Sequence, residues 1–421
     1  MNFRIEKIKA RQVLDSRGNP TVEALVYAGN AMGRAVAPSG ASKGKEEAVE
    51  LRDGEGAYHG KSVHRAIENI ATIIAPALVG MDVTEQETID DKLISMDGTK
   101  NKRVLGANAC IAVSVATCKC AALCRGAEPY AYLNENATLL PIPFMNVING
   151  GMHAGSDLAI QEHMIAPVGA ESFEEAVQMC CEIYHTLKTN LAKTFGRKAI
   201  NVGDEGGFAP PLSRTEDALE FIMKAIEENG YEDKVKLALD AAASSFYENG
   251  TYVMEKSMSG GELLDYYVSL CRKYPIVSLE DAFDEEDWDS FVAITEKIGN
   301  EVQIVGDDIF VTNAQRLRKG IKRGACNALL LKPNQIGTLS ETIRVAHICN
   351  EHGYAVMVSH RSGDTCDDFI ADLAVALETG QIKSGAPARG ERVAKYNCLL
   401  AIEEMLERPH YAGVQWHKRG L

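Results

Sequence analysis

The sequence has no long basic run, no CxxC pair, no internal repeat and no low-complexity segment. Each absence removes a class of protein. A formal net charge of -15 repels nucleic acid phosphates and anionic headgroups, so no nucleic acid partner is expected. The opening stretch MNFRIEKIKARQVLDSRG scatters charge where a signal peptide needs an apolar core. No apolar run approaches the length of a membrane span, and a cytoplasmic protein without a span is the expectation. Eleven cysteines, an odd count without an export signal, argue for reduced thiols over a disulfide framework. Cys110, Cys118, Cys120 and Cys124 lie in ANACIAVSVATCKCAALC, whose small apolar positions read as a buried helix. They are expected to pack as small hydrophobes and not to bind metal.

What is present is an ordinary globular composition, 46% hydrophobic and 24% charged, over 421 residues. That length accommodates two or three domains, or one large barrel with an appended domain. The first third mixes strands and helices. IEKIKARQVL and TVEALVYA flank the turn DSRGNP and predict a hairpin, while HRAIENIATIIAPAL places Ile67, Ile70, Ile74 and Leu78 at helical spacing. From about Val235 the pattern becomes strict alternation. The strand-like runs KLALD, IVSLED, VQIVGDD, NALLLK, YAVMVSH and QIKSG are each followed by an amphipathic stretch, which makes six βα units. Upstream, IPFMNVIN and LAIQEHMIAP read as two further strands. Two helices follow, opening on the capping patterns Ser172 with Glu175 and Ser213 with Glu216. Eight strands and eight helices suggest a closed barrel, with an open doubly wound sheet as the alternative.

The ends of those strands carry the chemistry. KLALD ends on Asp240, IVSLED on Glu280 and Asp281, VQIVGDD on Asp307 and Asp308, NALLLK on Lys332, YAVMVSHRS on His360, Arg361 and Ser362, and QIK on Lys383. In a barrel these ends converge on one mouth, where active sites of this architecture lie. Asp240, Glu280 and Asp307 offer three hard oxygen ligands suited to Mg²⁺. Asp281 and Asp308 are expected to be helix N-caps. Lys332 and Lys383, desolvated beside a divalent cation, should have lowered pKa values, so that one can act as a base. Arg361 with Ser362 reads as a phosphate clamp.

The motifs VLDSRGNPTVE, SGASKGKEEAVELRDG, NVINGGMHAGSDLAIQEHMIAPVGA, NVGDEGGFAP, SLEDAFDEEDW, IVGDDIFVTN, LLLKPNQIGTLSET, VMVSHRSGDT and IKSGAPARGERVAKYN, taken in order, resemble the enolase family nearly end to end. The resemblance implies an α/β fold. An N-terminal α+β capping domain, residues 1–133, would pack on a (β/α)8-type barrel, residues 140–421, that opens β-β-α-α. It implies reversible dehydration of 2-phosphoglycerate to phosphoenolpyruvate by a phosphopyruvate hydratase. Lys332 would be the base and Glu205 of GDEGG the general acid, supported by Glu162, and His153 would complete the catalytic set. Asp240, Glu280 and Asp307 would hold one Mg²⁺. A second would arrive with the substrate and reach Ser42 in the lid loop, giving two per active site. His153, Gln161, Glu162, Lys332, His360, Arg361, Ser362 and Lys383 would contact the substrate. Glu205 is expected to stay protonated beside Glu162, because two close carboxylates resist joint ionisation. The resemblance also implies a homo-oligomer, a dimer or an octamer. Two positions depart from the family pattern. Lys43 stands where the lid usually carries threonine, and His163, where an aromatic residue is usual, reads as packing. The rival functions are a related racemase or epimerase, and a catalytically idle binding protein on the same scaffold. The lid serine and the GDEGG acid argue against the first, since racemisation needs a second base and no leaving-group acid.

Overall fold

The computed structural model describes residues 3–41, 44–155 and 157–413. The chain begins with an antiparallel sheet of β1 (Lys7–Leu14), β2 (Pro20–Ala28) and β3 (Ala31–Val36). The first hairpin forms as predicted, with Leu14 opposite Pro20. Its turn is held by the Asp15 carboxylate, which accepts the backbone N–H groups of Arg17 and Asn19. The predicted helix after it buries Ile70, Ile74 and Leu78 and passes through one wider turn at Ile70–Ile74. Then follow α1 (Gln86–Asp97) and α2 (Ala107–Arg125).

Helix α2 packs on β2 and β3. At Gly33 of β3 an added Cβ would lie 2.0 Å from the Ala116 carbonyl oxygen, so glycine is required for this close approach. Cys110, Cys118 and Cys120 are buried in the helix and all eleven cysteines are free, as expected. One expectation fails here. Helix α2 is long and apolar enough to cross a membrane, but most of it is buried inside the fold. Its apolar surface serves the capping domain's core.

The barrel strands are β4 (Ile142–Asn149), β5 (Glu162–Ala166), β6 (Lys236–Asp240), β7 (Ile276–Glu280), β8 (Gln303–Gly306), β9 (Ala328–Leu331), β10 (Ala355–Ser359) and β11 (Gln381–Lys383), closed on themselves. Helices α3 (Phe173–Phe195) and α4 (Thr215–Glu228) both come after β5, which gives the β-β-α-α opening. The regular crossovers that follow use α5 (Gly260–Lys273), α6 (Trp288–Ile298), α7 (Ala314–Arg323), α8 (Leu339–Glu351), α9 (Phe369–Ala376) and α10 (Gly390–Met405). Strand β5 runs antiparallel to both neighbours, while the other pairs are parallel. Two consecutive strands without an intervening crossover can pair only this way.

Ser172 caps α3 by accepting the Glu175 N–H, as predicted. The second capping pattern does not form. Helix α4 starts at Thr215 after an uncapped Arg214, and the Glu216 carboxylate instead accepts the Tyr266 hydroxyl at 3.3 Å. Basic charge is also more concentrated than the expectation of no basic run allows. Helix α7 carries Arg316, Arg318, Lys319, Lys322 and Arg323. Arg316 and Arg323 pair with Glu286 and Asp289, and Lys319 lies 3.9 Å from the centre of the Trp288 ring, so much of that charge is already engaged.

Alternation along the strands explains the mouth. Ile142, Phe144, Met164, Ala238, Val305, Leu330 and Met357 form an apolar plug separate from the outer core. Two residues further along β6, β8, β9 and β10 come Asp240, Asp307, Lys332 and Ser359, on the same inward parity. Below Glu280 and Lys383 the inward positions are polar. The Gln303 amide donates to Ser278 at 3.1 Å and to Gln381 at 2.8 Å, tying β7, β8 and β11 together. The capping domain is bolted over this end. Asp90 of α1 accepts the Ser340 N–H and O–H at the start of α8, Lys102 pairs with Glu341 at 2.8 Å, and Lys119 pairs with Asp367 at 3.0 Å.

Candidate active site

The register of the barrel brings the charged strand ends together. Glu280 lies beside Asp240 in the β7–β6 pairing. Glu162 lies beside Asp240 on the other side, because β5 runs backwards and its first residue reaches the mouth. The Lys383 ammonium donates to Asp240 Oδ2 at 3.0 Å and to both Glu280 oxygens at 2.9 Å, and it stands 3.1 Å from Glu162 Oε1. Lys332 donates to Asp307 Oδ2, and Gln335 donates to the other Asp307 oxygen at 2.9 Å. Gln161 reaches Asp240 at 3.3 Å. A small cavity of about 20 Å³ is lined by Gly40, His153, Gln161, Glu162, Glu205, Asp240, Asp307, Lys332, Ser359, His360, Arg361, Ser362 and Lys383.

Twelve acidic, basic or polar groups are hard to bury unless they meet each other. Burial alone would lower Lys383, but Asp240, Glu162 and Glu280 outweigh it and hold the ammonium above its usual range. Burial also pulls Lys332 down, and Asp307 overturns that. Both lysines are therefore held in the charged form by these acids. The acids that a divalent cation would engage are the groups that raise them. Glu280 is pushed well up by burial and by Asp240, so Lys332 and Lys383 do not neutralise this set fully. Buried oxygen donors short of positive charge fit Mg²⁺, with Asp240, Glu280 and Asp307 available to hold it. Among the described residues, the clusters whose ligand atoms all lie within 4.8 Å of one another are His153–Glu162–Glu205 and Asp281–Asp307–Asp308. The expected trio is not one of them, and the Lys383 ammonium is bonded to two of its members.

Across the cavity stands Glu205. Its Oε2 accepts the Asn146 amide at 3.1 Å, while His360 Nε2 lies 3.4 Å and His153 Nδ1 3.6 Å from its Oε1. Burial would raise Glu205, but His153 and His360 together hold its carboxyl well below the usual range. Burial and the charge of Glu205 push Glu162 well up. These directions favour a proton on Glu162 over one on Glu205. That reverses the expectation for the pair, because the histidines favour ionisation of Glu205 alone. His360 itself is lowered to about 4 by burial.

Arg361 donates to the Asn334 side-chain oxygen Oδ1 at 3.1 Å and to both oxygens of Glu47. Ser362 Oγ accepts the Ala41 N–H at 2.6 Å, joining the clamp to the loop that leads to the lid. Ser42 and Lys43 lie outside the described residues. Asp281 is not an N-cap. It adopts φ of +42°, and its two oxygens accept the backbone N–H groups of Asp307 and Asp308 at 2.9 and 2.8 Å. Asp308 caps no helix either, since α7 starts from Asn313.

Three residues escaped the reading of strand ends. Arg392, fully buried at the start of α10, donates to His360 Nδ1 and to the carbonyls of Arg361 and Ser362, all at 2.6 Å. Asn146 and Glu47 orient Glu205 and Arg361. Asn146 was open to detection, because it shares inward parity with Phe144 on β4. Nothing local marks Glu47 or Arg392.

Family models match almost the whole chain. The enolase N-terminal domain matches residues 5–133, and the enolase C-terminal TIM barrel domain matches residues 137–419. The enolase of Thermococcus gammatolerans is 57% identical over 411 residues, covering 96% of each chain. That of Pyrococcus furiosus is 56% identical over 423 residues, covering 99% of this chain and 98% of the relative. The enolase of Methanocaldococcus jannaschii is 55% identical over 414 residues, covering 98% and 97%.

The chain belongs to the enolase family. The racemase, epimerase and idle-scaffold alternatives are not favoured. In this enolase-family barrel the reversed β5 starts at the mouth, which places Glu162 and the preceding Gln161 there.

Proposed function

We propose that this pocket carries out the reversible dehydration of 2-phosphoglycerate to phosphoenolpyruvate, as a carbon–oxygen lyase. The supporting observation is that two charged clusters share one small cavity. Lys332 and Lys383 sit among Asp240, Glu280 and Asp307, and Glu205 sits with Glu162 and His153. Removing a proton beside an ionised carboxylate places more negative charge on the same group, so the reaction needs cations and a base together. Lys332 takes the proton from carbon 2. Its partner Asp307 is one of the residues that would hold Mg²⁺, and an Asp307 so engaged would leave less negative charge to keep Lys332 protonated. Lys383, held as an ammonium, faces the substrate carboxylate.

Hydroxide is a poor leaving group. Glu205 delivers the proton that goes with it, drawn from the Glu162–Glu205 pair beside His153. Arg361 and Ser362 hold the phosphate, and Gln161 and His360 close the pocket. Asp240, Glu280 and Asp307 would hold one Mg²⁺, and Ser42 would reach a second that accompanies the substrate. When bound, these ions supply positive charge to the substrate carboxylate. An assay with 2-phosphoglycerate and Mg²⁺, read by the absorbance of phosphoenolpyruvate, tests the assignment. Absence of turnover overturns it.

The organisation proposed with this function is two units, residues 1–133 and 140–421, in a cytoplasmic homo-oligomer, dimer or octamer. Eleven free thiols support a reducing compartment. Light scattering on the purified protein gives the assembly size.

A further inference from the structure

Cys120 and Cys124 stand one turn apart near the end of α2, a spacing that puts both side chains on one face of the helix. That face meets the hairpin of β2 and β3. Cys120 is fully buried against Gly33, where an added Cβ would lie 2.8 Å from the Cys120 Cβ, and the Cys124 thiol donates to the Ala28 carbonyl oxygen at 3.7 Å. The two thiols also meet each other, Cys120 donating to the Cys124 sulfur. Cys124 is only partly covered. It lines an open cavity of about 410 Å³ with Phe3, Ala31, Met32 and Leu123, so a solute can reach this sulfur while Cys120 stays enclosed beside it.

Burial raises both thiols, Cys120 to about 11, so each keeps its proton at neutral pH until something displaces it. The hydrogen bonds act the other way. Backbone groups of Gly33 and Ala28 favour the Cys120 thiolate, and Cys120 favours that of Cys124. A thiophilic cation would therefore find two sulfurs already in contact and partly prepared, and it would release both protons to solvent as two metal–sulfur bonds replace two S–H bonds. The cavity lining offers no carboxylate and no imidazole. That excludes Mg²⁺, which takes oxygen, and falls short of the four ligands of a structural zinc. Soft thiolates select Cu⁺, which two sulfurs can satisfy. The other thiols lack this arrangement. Cys118 faces the opposite side of α2 and packs as a small hydrophobe, and the neighbours Cys180 and Cys181 on α3 do not face each other.

We propose that Cys120 and Cys124 form a binding site for a soft, low-coordinate cation of the Cu⁺ type, in the capping domain and apart from the barrel mouth. The reduced full-length protein is titrated with Cu⁺ under anaerobic conditions against bicinchoninate, a chelator whose colour reports the copper that the protein has not taken. One Cu⁺ per chain should be withdrawn from the chelator. X-ray absorption at the copper edge should then show a shell of sulfur neighbours. Cys124→Ser and Cys120→Ala should each weaken binding at least tenfold, and Cys366→Ser, which removes an exposed thiol elsewhere, should leave it unchanged. Affinity unchanged in Cys124→Ser overturns the proposal, as does affinity lost in Cys366→Ser, or a copper shell of oxygen and nitrogen. Cys120→Ala opens a space in the core and can fail to fold. Cys124→Ser, at a partly covered position, then decides the matter together with the absorption spectrum.

Discussion

Arg361 and Glu47, far apart in the chain, form a two-pronged ion pair inside the mouth, Nη1 to Oε2 at 3.1 Å and Nη2 to Oε1 at 3.0 Å. Their side chains are 3% and 7% exposed, so neither charge is relieved by water. The carboxylate therefore occupies the guanidinium fork that the substrate phosphate is proposed to use. Removing one partner of a buried pair costs about 3 kcal/mol or more. Glu47→Ala should lower stability by about that amount in urea unfolding. Inorganic phosphate should raise the melting temperature of this variant more than that of the wild type. Equal phosphate effects would show that Glu47 does not share the phosphate's place.

His163 titrates in the folded protein at about 4, because burial disfavours its charged form more strongly than the Ile148 backbone favours it. Unfolded, it takes up a proton near 6.5. Between those values the unfolded state holds more protons, so stability falls as pH drops from 6.5 toward 4. From pH 7 to pH 5 the loss is about 2 kcal/mol. His163→Phe should remove that part of the slope, measured as unfolding free energy at both pH values. An unchanged slope contradicts the buried neutral imidazole.

Asp372 works in the opposite direction. Burial lifts its carboxyl to about 7, against the pull of Lys119, while it accepts the Tyr130 N–H at 3.1 Å. The folded state holds its proton up to about 7 and the unfolded state releases it near 3.9, so this contribution is lost as pH rises through that window. The loss from pH 5 to pH 7 is again about 2 kcal/mol. Relative to wild type, Asp372→Asn should become more stable as pH rises from 5 to 7. A variant that follows the wild-type curve would place the carboxyl in the ordinary range.

Chelation should abolish turnover, and added Mg²⁺ should restore it. Asp307→Asn should weaken Mg²⁺ binding by at least tenfold while leaving the far-ultraviolet circular dichroism unchanged. Full activity in excess chelator would remove the metal from the account.

Much of the mouth can be read from strand ends because inward parity is a local property. Asp240, Asp307 and Lys332 follow Ala238, Val305 and Leu330 by two residues each, and the pattern is present in the chain. Strand direction is not local. Nothing in QEHMIA says that β5 runs backwards, so the inference that C-terminal ends meet could not place Glu162. Protonation is not local either. The values at Lys332, Lys383 and Glu205 are set by partners far away in sequence, among them Asp307, Asp240 and His360. Ser213 with Glu216 fails as a cap because Tyr266, on another helix, takes the glutamate.

The central claim is that Lys332 and Glu205 act on different bonds. The direct measurement is deuterium incorporation at carbon 2 of recovered 2-phosphoglycerate, followed by NMR in both variants. Lys332→Ala should lose turnover and exchange together. Glu205→Gln should lose roughly 10² to 10⁴-fold in turnover and still exchange measurably, since the base remains. Exchange that persists in Lys332→Ala and vanishes in Glu205→Gln would contradict the assignment and put the base at Glu205.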